Sequence, residues 1–472
     1  MKKKLFFLFL FCTFFIFIIE SLYAADETAQ TRVFDLKSCI SRAIRNDPDT
    51  MNAMDKITIG RLKTKEAQIS LIAPRIDLET GYGPKLDYFN RPITEENIYR
   101  SKVTVDKPLY KGGELITNYR LGKKDTIRAE YDYLQKSMGV TGDTIKAYYE
   151  LLSAQESVKY IQALYGHAEQ TVQLMGKKYK IGGATKVEVL EAETKAHEIK
   201  YKMIKAQGEL RTAIASLNKL IGVDIHTKTE VVKEFPLEAL KGDAESLIDE
   251  AMKNRPDILY AKEDMEFERL RVDLNKSKGL PNLSLIGSYS WEGDKFPGQE
   301  NDWSVILQLS ISMFDSTLSS SVSKNQIYST DYNYEPENKS YDMSKVKLSL
   351  FDGSYNDSKL ESARAGYRLA ANKMEQTKRT IEKDVKEAVN KYLEAEATIA
   401  TTEKQIEFTE EKLKILEEKL KYREATELEV LESRVKVIEA KTKNLQAMYD
   451  QSAAIGALYS ASGRQLKWKE NR

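Results

Sequence analysis

The sequence predicts a mainly α-helical chain with a membrane β-barrel portion. It is built as a twofold internal repeat in which each half carries a long antiparallel helical hairpin and a few strands. Three observations predict it. The two halves align with each other, two stretches of 69 residues suit very long helices with apolar spacings of four and three, and short segments between helices alternate apolar with hydroxylic residues. Composition agrees, since 31% of residues are charged and only 10 of 472 are Pro, which suits long solvated helices and excludes a fibrous or low-complexity chain. With 73 basic and 72 acidic side chains, bulk charge provides no drive toward nucleic acid.

Lys2, Lys3 and Lys4 precede an uncharged run from Leu5 to Ile19, followed by Glu20 and the small residues Ala24 and Ala25. Residues 1–24 read as a secretory signal peptide: the apolar run is shorter than the ~20 residues of a spanning helix, and a small-residue cleavage point follows it. No cysteine sits there, so no lipid anchor is expected. No later segment reaches transmembrane-helix length without charges, leaving an exported chain that is periplasmic, secreted or inserted by strands. Cys12 lies in the leader, so Cys39 is the lone mature thiol, no internal disulfide is possible, and Cys39 is expected to pack in the core.

An internal repeat organises the mature chain. Ala43 to Asp49 (AIRNDPD) recurs as Ala251 to Asp257 (AMKNRPD), and Pro74 to Tyr82 matches Pro281 to Tyr289. Leu109 to Gly112 matches Leu350 to Gly353 at an offset of 241, an offset kept by Ala184 to Glu191 (ATKVEVLE) against Ala425 to Glu432 (ATELEVLE), and by Gly222 against Gly463. The second half therefore holds 34 extra residues before its long helix. The first repeat spans 25–242, with strands near 75–110 and a hairpin over 113–222. The second spans 243–472, with strands near 281–352 and a hairpin over 354–463.

Each half predicts a short helix, a helix started after Pro48 or Pro256, strands, one very long helix, a tight turn and another long helix. In the second half Ile381, Val385, Ala388, Tyr392, Ala395, Ile399, Thr402, Ile406, Thr409, Leu413, Leu416 and Leu420 keep steps of four and three. Beyond the turn, Leu428, Leu431, Val435, Ile438, Thr442, Leu445, Tyr449 and Ser452 continue them as an antiparallel partner. A helix of 69 residues is about 100 Å long at ~1.5 Å per residue. The helices beginning at Pro48 and Ala184 together nearly match that length, so stacked end to end they would cover the long helix's seam.

In the strands, Leu283, Leu285, Gly287, Tyr289 and Trp291 interleave with Ser284, Ile286, Ser288 and Ser290, and Val305, Leu307, Leu309, Ile311 and Met313 with Ile306, Gln308, Ser310 and Ser312, so one face is apolar and the other mostly hydroxylic. The first half is weaker, with Ile76, Leu78 and Tyr82, then Val103 and Val105. Tyr82, Trp291, Trp303 and Tyr110 fit either an interfacial aromatic belt or ordinary core. The 34-residue excess is either a loop or a further pair of strands, because a chain that returns to its starting side crosses an even number of times. Few strands per chain leave open edges that lipid cannot satisfy, so several copies are expected to share one barrel.

The doubled A-x-x-N-x-P helix openings at Ala43–Pro48 and Ala251–Pro256, the Pro-then-strand junctions at Pro74 and Pro281, and the two turns ending E-V-L-E together resemble the TolC-type outer-membrane efflux family over nearly the whole mature chain. The resemblance implies a homotrimer with a shared β-barrel in outer-membrane lipid and a long periplasmic α-barrel. It also implies docking to an inner-membrane transporter through a periplasmic adaptor, as the exit duct of a tripartite efflux or type I secretion system in a Gram-negative-type cell. It places adaptor contact at the hairpin turns, Gly182, Gly183, Ala184 and Thr185 in the first and Ala425 and Thr426 in the second. Gly182-Gly183 keeps part of the family's glycine-then-hydrophobic turn, whereas Arg423-Glu424 departs from it. By the resemblance, acidic residues at positions matching Glu188, Glu191, Glu429 and Glu432 would ring the pore constriction, with Glu429 and Glu432 favoured; the residues alone read as solvated coiled-coil faces.

Gly182 and Gly183 also terminate a helix, and Gly112, Gly113 and Gly353 serve backbone geometry where strand becomes helix. His167, His197 and His226 are scattered without metal spacing, no CxxC or phosphate-cradling loop occurs, and neither an enzyme nor a cofactor is implied. His197 falls at the seam position of Ile438 and is expected to be packed or interfacial. The competing class is a non-transporting periplasmic coiled-coil adaptor or envelope spacer, which leaves the alternating strands without a purpose.

Overall fold

The computed structural model describes residues 32–86, 92–234, 242–296, 298, 300–313, 316–329, 337–350, 357–464 and 466. The signal peptide and Gly353 lie outside them. Eight helices are described: α1 (Leu36–Asn46), α2 (Pro48–Ile72), α3 (Glu114–Lys180), α4 (Lys186–Ile221), α5 (Ala244–Asn254), α6 (Pro256–Ser277), α7 (Asp357–Lys421) and α8 (Glu427–Ser462). Eight strands accompany them: β1 (Arg32–Phe34), β2 (Arg75–Leu86), β3 (Pro92–Lys111), β4 (Thr229–Val231), β5 (Asn282–Gly293), β6 (Glu300–Met313), β7 (Ser316–Ser329) and β8 (Glu337–Ser349). Among the described residues no helix is long and apolar enough to cross a membrane. The chain forms two compact units, one from Met1–Ala53, Tyr133–Ile258 and Lys378–Arg472, the other from Met54–Asp132 and Leu259–Thr377.

In the first unit, proline sets the helix corners. Pro48 and Pro256 take the first helical position, where a missing N–H costs nothing, and force the preceding residues, Asp47 and Arg255, into extended backbone that ends α1 and α5. The Asp47 carboxylate then accepts from Thr50 N at 2.8 Å and Thr50 Oγ1 at 2.7 Å, opening α2. The motif asparagine has a separate task. Asn46 Nδ2 donates to the Ile221 carbonyl at 2.9 Å, closing the end of α4 against the α1–α2 corner. The chain leaves α4 through left-handed Gly222, where a Cβ would meet Asn46 at 2.6 Å. In the second half left-handed Gly463 follows α8, and its Cβ would meet Arg255 N at 2.7 Å.

The core of this unit is aromatic as well as aliphatic. Tyr148, Tyr149, Tyr449 and Tyr459 are fully buried beside Leu36, Ile145 and Leu217. Tyr149 stacks on Tyr449 at 6.0 Å between centroids, and Tyr148 Oη donates to the Val232 carbonyl at 2.7 Å. Cys39 is buried here, and burial with nearby Asp35 pushes its thiol up to about 12.

Every seam residue read from the second long helix, Ile381 through Leu420, is buried or half-buried, as is every partner from Leu428 to Ser452. Asn444 Nδ2 to Thr402 Oγ1 (3.0 Å), Lys441 to Glu410 (2.7 Å) and Arg434 to Glu417 (2.8 Å) confirm an antiparallel α7–α8 pairing. In the first hairpin Leu164 and Ala168 of α3 pack on Ile199 of α4, and Met175 on Val189 and Ala192. His197 is exposed in the single chain, which corrects the packed half of the packed-or-interfacial expectation. The α4 seam runs through Val189, Ala192, Ala196 and Ile199, a three-four-three spacing that leaves His197 off the face.

In the second unit α2 and α3 approach closely at reciprocal glycines. A Cβ on Gly60 would meet Thr126 at 3.0 Å, one on Gly122 would meet Thr64 at 3.0 Å, and the two threonine hydroxyls share a hydrogen bond of 3.2 Å. Arg128 of α3 lies 4.2 Å over the Phe267 ring of α6 and pairs with Asp264 at 2.8 Å.

The same unit holds a six-stranded antiparallel sheet in the order β2-β3-β5-β6-β7-β8. Side chains alternate across a sheet, so register decides which share a face. One face carries Ile76 and Leu78, Val103 and Val105, Leu285 and Tyr289, Val305, Leu307 and Leu309, Leu318 and Val322, then Val346 and Leu348. The other carries Ser284, Ser288, Ser304, Gln308, Ser319 and Ser321. The apolar face is left to solvent in the single chain, most at the edges: Leu78 is 70% and Val346 71% exposed. Tyr82 meets Tyr99 with tilted rings, 4.8 Å between centroids, and is exposed, as is Tyr110, whereas Trp291 and Trp303 are half-buried. The 34-residue excess carries a further pair of strands, giving four strands between α6 and α7 against two between α2 and α3 among the described residues.

Gly112 enters α3 with φ +55°, and a Cβ there would overlap the Ser277 carbonyl; Gly113, at φ +89°, faces open space. This separation makes a prediction about Gly463. Gly113→Ala meets only the left-handed penalty, about 1 kcal/mol, whereas Gly463→Ala adds a backbone overlap and should cost about 2–3 kcal/mol. Urea unfolding of both purified variants checks it; equal losses would refute the overlap.

Candidate functional site

Two turns, 241 residues apart, carry the sequence-predicted site. At the first, α3 ends at Lys180 and the chain reverses through Gly182 at φ +77°. Gly183 N donates to the Lys178 carbonyl at 2.7 Å and Gly182 N to Tyr179 at 3.0 Å, the pattern that satisfies carbonyls at a helix end. At the second, Glu424 N donates to Lys419 at 2.9 Å and Arg423 N to Leu420 at 3.1 Å. Arg423 replaces Gly182 and is still left-handed, at φ +63°. The departure in sequence is therefore no departure in backbone; Arg423 bears a strain of about 1–2 kcal/mol that glycine avoids.

Each returning helix starts with the same device. Thr185 Oγ1 accepts from Glu188 N at 3.2 Å, while Glu188 Oε2 accepts from Thr185 N at 2.6 Å and Thr185 Oγ1 at 2.9 Å. Thr426 and Glu429 repeat it at 3.2, 2.7 and 3.1 Å. These are capping boxes, each meeting orphan N–H groups at the helix start. The hydrogen bonds from Thr185 and Thr426, backbone first, hold the Glu188 and Glu429 carboxyls below the ordinary glutamate value of 4.5.

The four acidic residues thus separate into two kinds. Glu188 and Glu429 are committed to their own helix starts. Glu432 reaches across to Lys195 at 3.3 Å, and Glu191 is exposed. Ala184 packs against the Met175–Val189–Ala192 cluster, and Ala425 is half-buried. The two turns lie side by side within one chain, since Lys178 pairs with Glu427 at 3.5 Å. Further along, Lys202 pairs with Glu439 at 2.8 Å and Arg434 approaches His167 at 3.1 Å. None of these cross-hairpin pairs was read from the sequence, yet a signal was there: Lys195 and Lys202 are seven apart, as are Glu432 and Glu439, a complementary heptad charge pattern.

The profile of the outer membrane efflux protein family matches residues 40–223 and 317–464, which include both turns and both capping boxes. The chain belongs to that family. It is 20% identical over 306 residues to the outer membrane protein TolC of Vibrio cholerae, covering 61% of this chain and 67% of the relative. It is 22% identical over 290 residues to the alkaline protease secretion protein AprF of Pseudomonas aeruginosa, covering 58% of this chain and 59% of that one. In fold it is similar to the Campylobacter jejuni outer membrane channel CmeC, with a TM-score of 0.72 at 16% identity over 92% of this chain and 87% of CmeC. VceC of Vibrio cholerae is similar too, with a TM-score of 0.69 at 17% identity over 91% and 96%.

The capping boxes predict a local acid response. Both glutamates bind protons less readily folded than unfolded, so their contribution is fully present above 4.5 and is lost as pH falls through the lower folded-state values. Hydrogen exchange, corrected for intrinsic rates, should show the first turns of α4 and α8 losing protection below pH 4.5. Thr185→Ala and Thr426→Ala should each weaken their turn by about 1 kcal/mol at neutral pH and erase that acid step. An acid step of unchanged size in the alanine variants would refute the assignment.

Proposed function

We propose that this family member is the outer-membrane exit duct of a tripartite efflux or type I secretion system. It is a passive conduit from periplasm to exterior, gated at its periplasmic tip. After a signal peptide at 1–24, residues 25–242 and 243–472 act as two repeats, and three copies share one β-barrel in outer-membrane lipid. Their helical hairpins form a periplasmic tube whose turns meet an adaptor, and the adaptor joins an inner-membrane transporter that supplies the energy.

One observation carries this reading. A sheet with one apolar face exposed and both edges open is continuous in the chain with two capped helical hairpins. Lipid suits the face, further copies suit the edges, and neither suits a soluble spacer. The relatives' names support the same assignment, one a TolC and one a protease secretion protein.

At the tip, Gly182, Gly183, Ala184, Thr185, Ala425 and Thr426 present the adaptor surface. Glu191 and Glu432, which are outside the capping boxes, would contribute most of the charge at a constriction, with Glu188 and Glu429 behind them. Planar-bilayer recording tests both parts. The purified chain should run as a heat-modifiable oligomer, resist carbonate extraction and form cation-preferring channels. Glu191→Gln with Glu432→Gln should reduce cation preference several-fold without changing oligomer size. Release by carbonate would refute the duct; unchanged selectivity would refute the charged ring alone.

A further inference from the structure

We propose that each copy contributes six strands to the shared barrel, that β8 of one copy closes against β2 of the next, and that three copies form an eighteen-stranded wall around a lumen of porin width. The number of copies rests on the assembly proposed above; the number of strands rests on the sheet.

The direction of the edge strands permits this closure. β2 leaves the helical portion after α2, and β8 precedes the return to α7. Because six is even, β8 and the β2 of a neighbouring copy run in opposite directions, and up-and-down order continues across the junction. Each edge strand pairs on one side only within the chain, so a second copy is the occupant its unmet N–H and C=O groups fit. The occupant cannot be the same chain, because six strands are fewer than the eight of the smallest barrels.

The serine-rich β7 decides between strand and loop in the barrel wall. By composition it looks water-soluble, yet its register continues the apolar band. Leu318 lies beside Ile311 and Leu348, Val322 beside Leu307, and Ser320 between Leu309 and Val346. Ser319 and Ser321 fall on the opposite face with Ser310 and Gln308. A surface loop has no reason to keep apolar residues in step with a lipid-facing band through to the outer edge. With strands about 4.8 Å apart and tilted by about 40°, eighteen strands close at a backbone diameter of about 36 Å, against about 24 Å for twelve. The hydroxyl-lined barrel is then too wide to be the narrowest part of the conduit, and selection falls to the helical tip.

Single cysteines in the full-length chain, reconstituted in lipid vesicles, test this; the native Cys39 is buried and gives little background. Ser319→Cys and Ser321→Cys should react with a water-soluble maleimide. Leu318→Cys and Val322→Cys should react at least ten-fold more slowly with it, and readily with a lipid-dissolved maleimide. Leu78→Cys with Val346→Cys, treated with a flexible bis-maleimide, should link neighbouring chains into dimers and trimers on a denaturing gel. Native mass spectrometry of each variant confirms assembly and should count three copies. Uniform water labelling of β7 in a trimer would overturn the six-strand wall and leave the duct intact. A link confined to one chain would overturn the β8–β2 closure. Two copies would overturn the eighteen-strand count, and a lone copy would overturn the shared barrel itself.

Discussion

Backbone N–H and C=O groups need partners, and lipid offers none. In the helices the requirement is met inside each segment, and at their ends by capping boxes and left-handed turns. In the sheet it is met between strands, except along the outer sides of β2 and β8. Those two lines of polar groups pair with nothing within the sheet, and the helices too leave apolar side chains exposed, among them Leu369, Leu393 and Phe408. The residues that the apolar face exposes most, Ile76, Leu78, Tyr82, Val346 and Leu348, lie on the same two edge strands. An even number of strands lets the chain return to its helical side after every excursion.

The corners between helices show how a shared local problem receives related answers. Pro48 and Pro256 break the chain in the same way, yet the neighbours that receive the breaks differ. In the first half a side-chain amide from Asn46 reaches the end of α4, and Gly222 makes room for it. In the second, Gly463 makes room for the Asn254–Arg255 backbone itself, and Arg255 joins Asp257 at 2.7 Å and Asp384 at 3.1 Å. A glycine is required in both places for the same two reasons, a left-handed φ and a neighbour where Cβ would stand.

Different contacts hold the two ends of the hairpins. Near their far end from the turns lie fully buried tyrosines and the Arg255 network. Near the turns the hairpins meet through apolar contacts, Leu431 with Leu164, Ala168 and Ile199 and Leu428 with Met175, Val189 and Ala192, flanked by Lys–Glu pairs that each contribute about 0–1 kcal/mol and are weakened by salt. The capping boxes hold the individual helix starts, while the contacts between hairpins combine this apolar packing with the ion pairs.

Much of this was legible in the sequence because it is local. Steps of four and three put Ile381 through Leu420 on one face whatever lies opposite. Pro at a first helical position acts within a single turn, so Pro48 and Pro256 announced helix starts directly; the Thr-x-x-Glu boxes at Thr185 and Thr426 are equally local but were recognised only in the structure. The strand pattern was legible only where both faces differ, in β5 and β6. In β7, serine lies on both faces, and only pairing with β6 and β8 reveals which positions face which way; sequence alone therefore left the 34 residues as loop or strand. Tertiary structure likewise decided His197, because one residue's displacement from the seam depends on which neighbours pack. It also decided Arg423, whose left-handed backbone is imposed by the turn against its own preference, and the roles of the acidic residues. Glu188 and Glu429 are bound within their own helices, whereas Glu432 pairs across to Lys195, a contact that exists only once two hairpins far apart in the chain lie together.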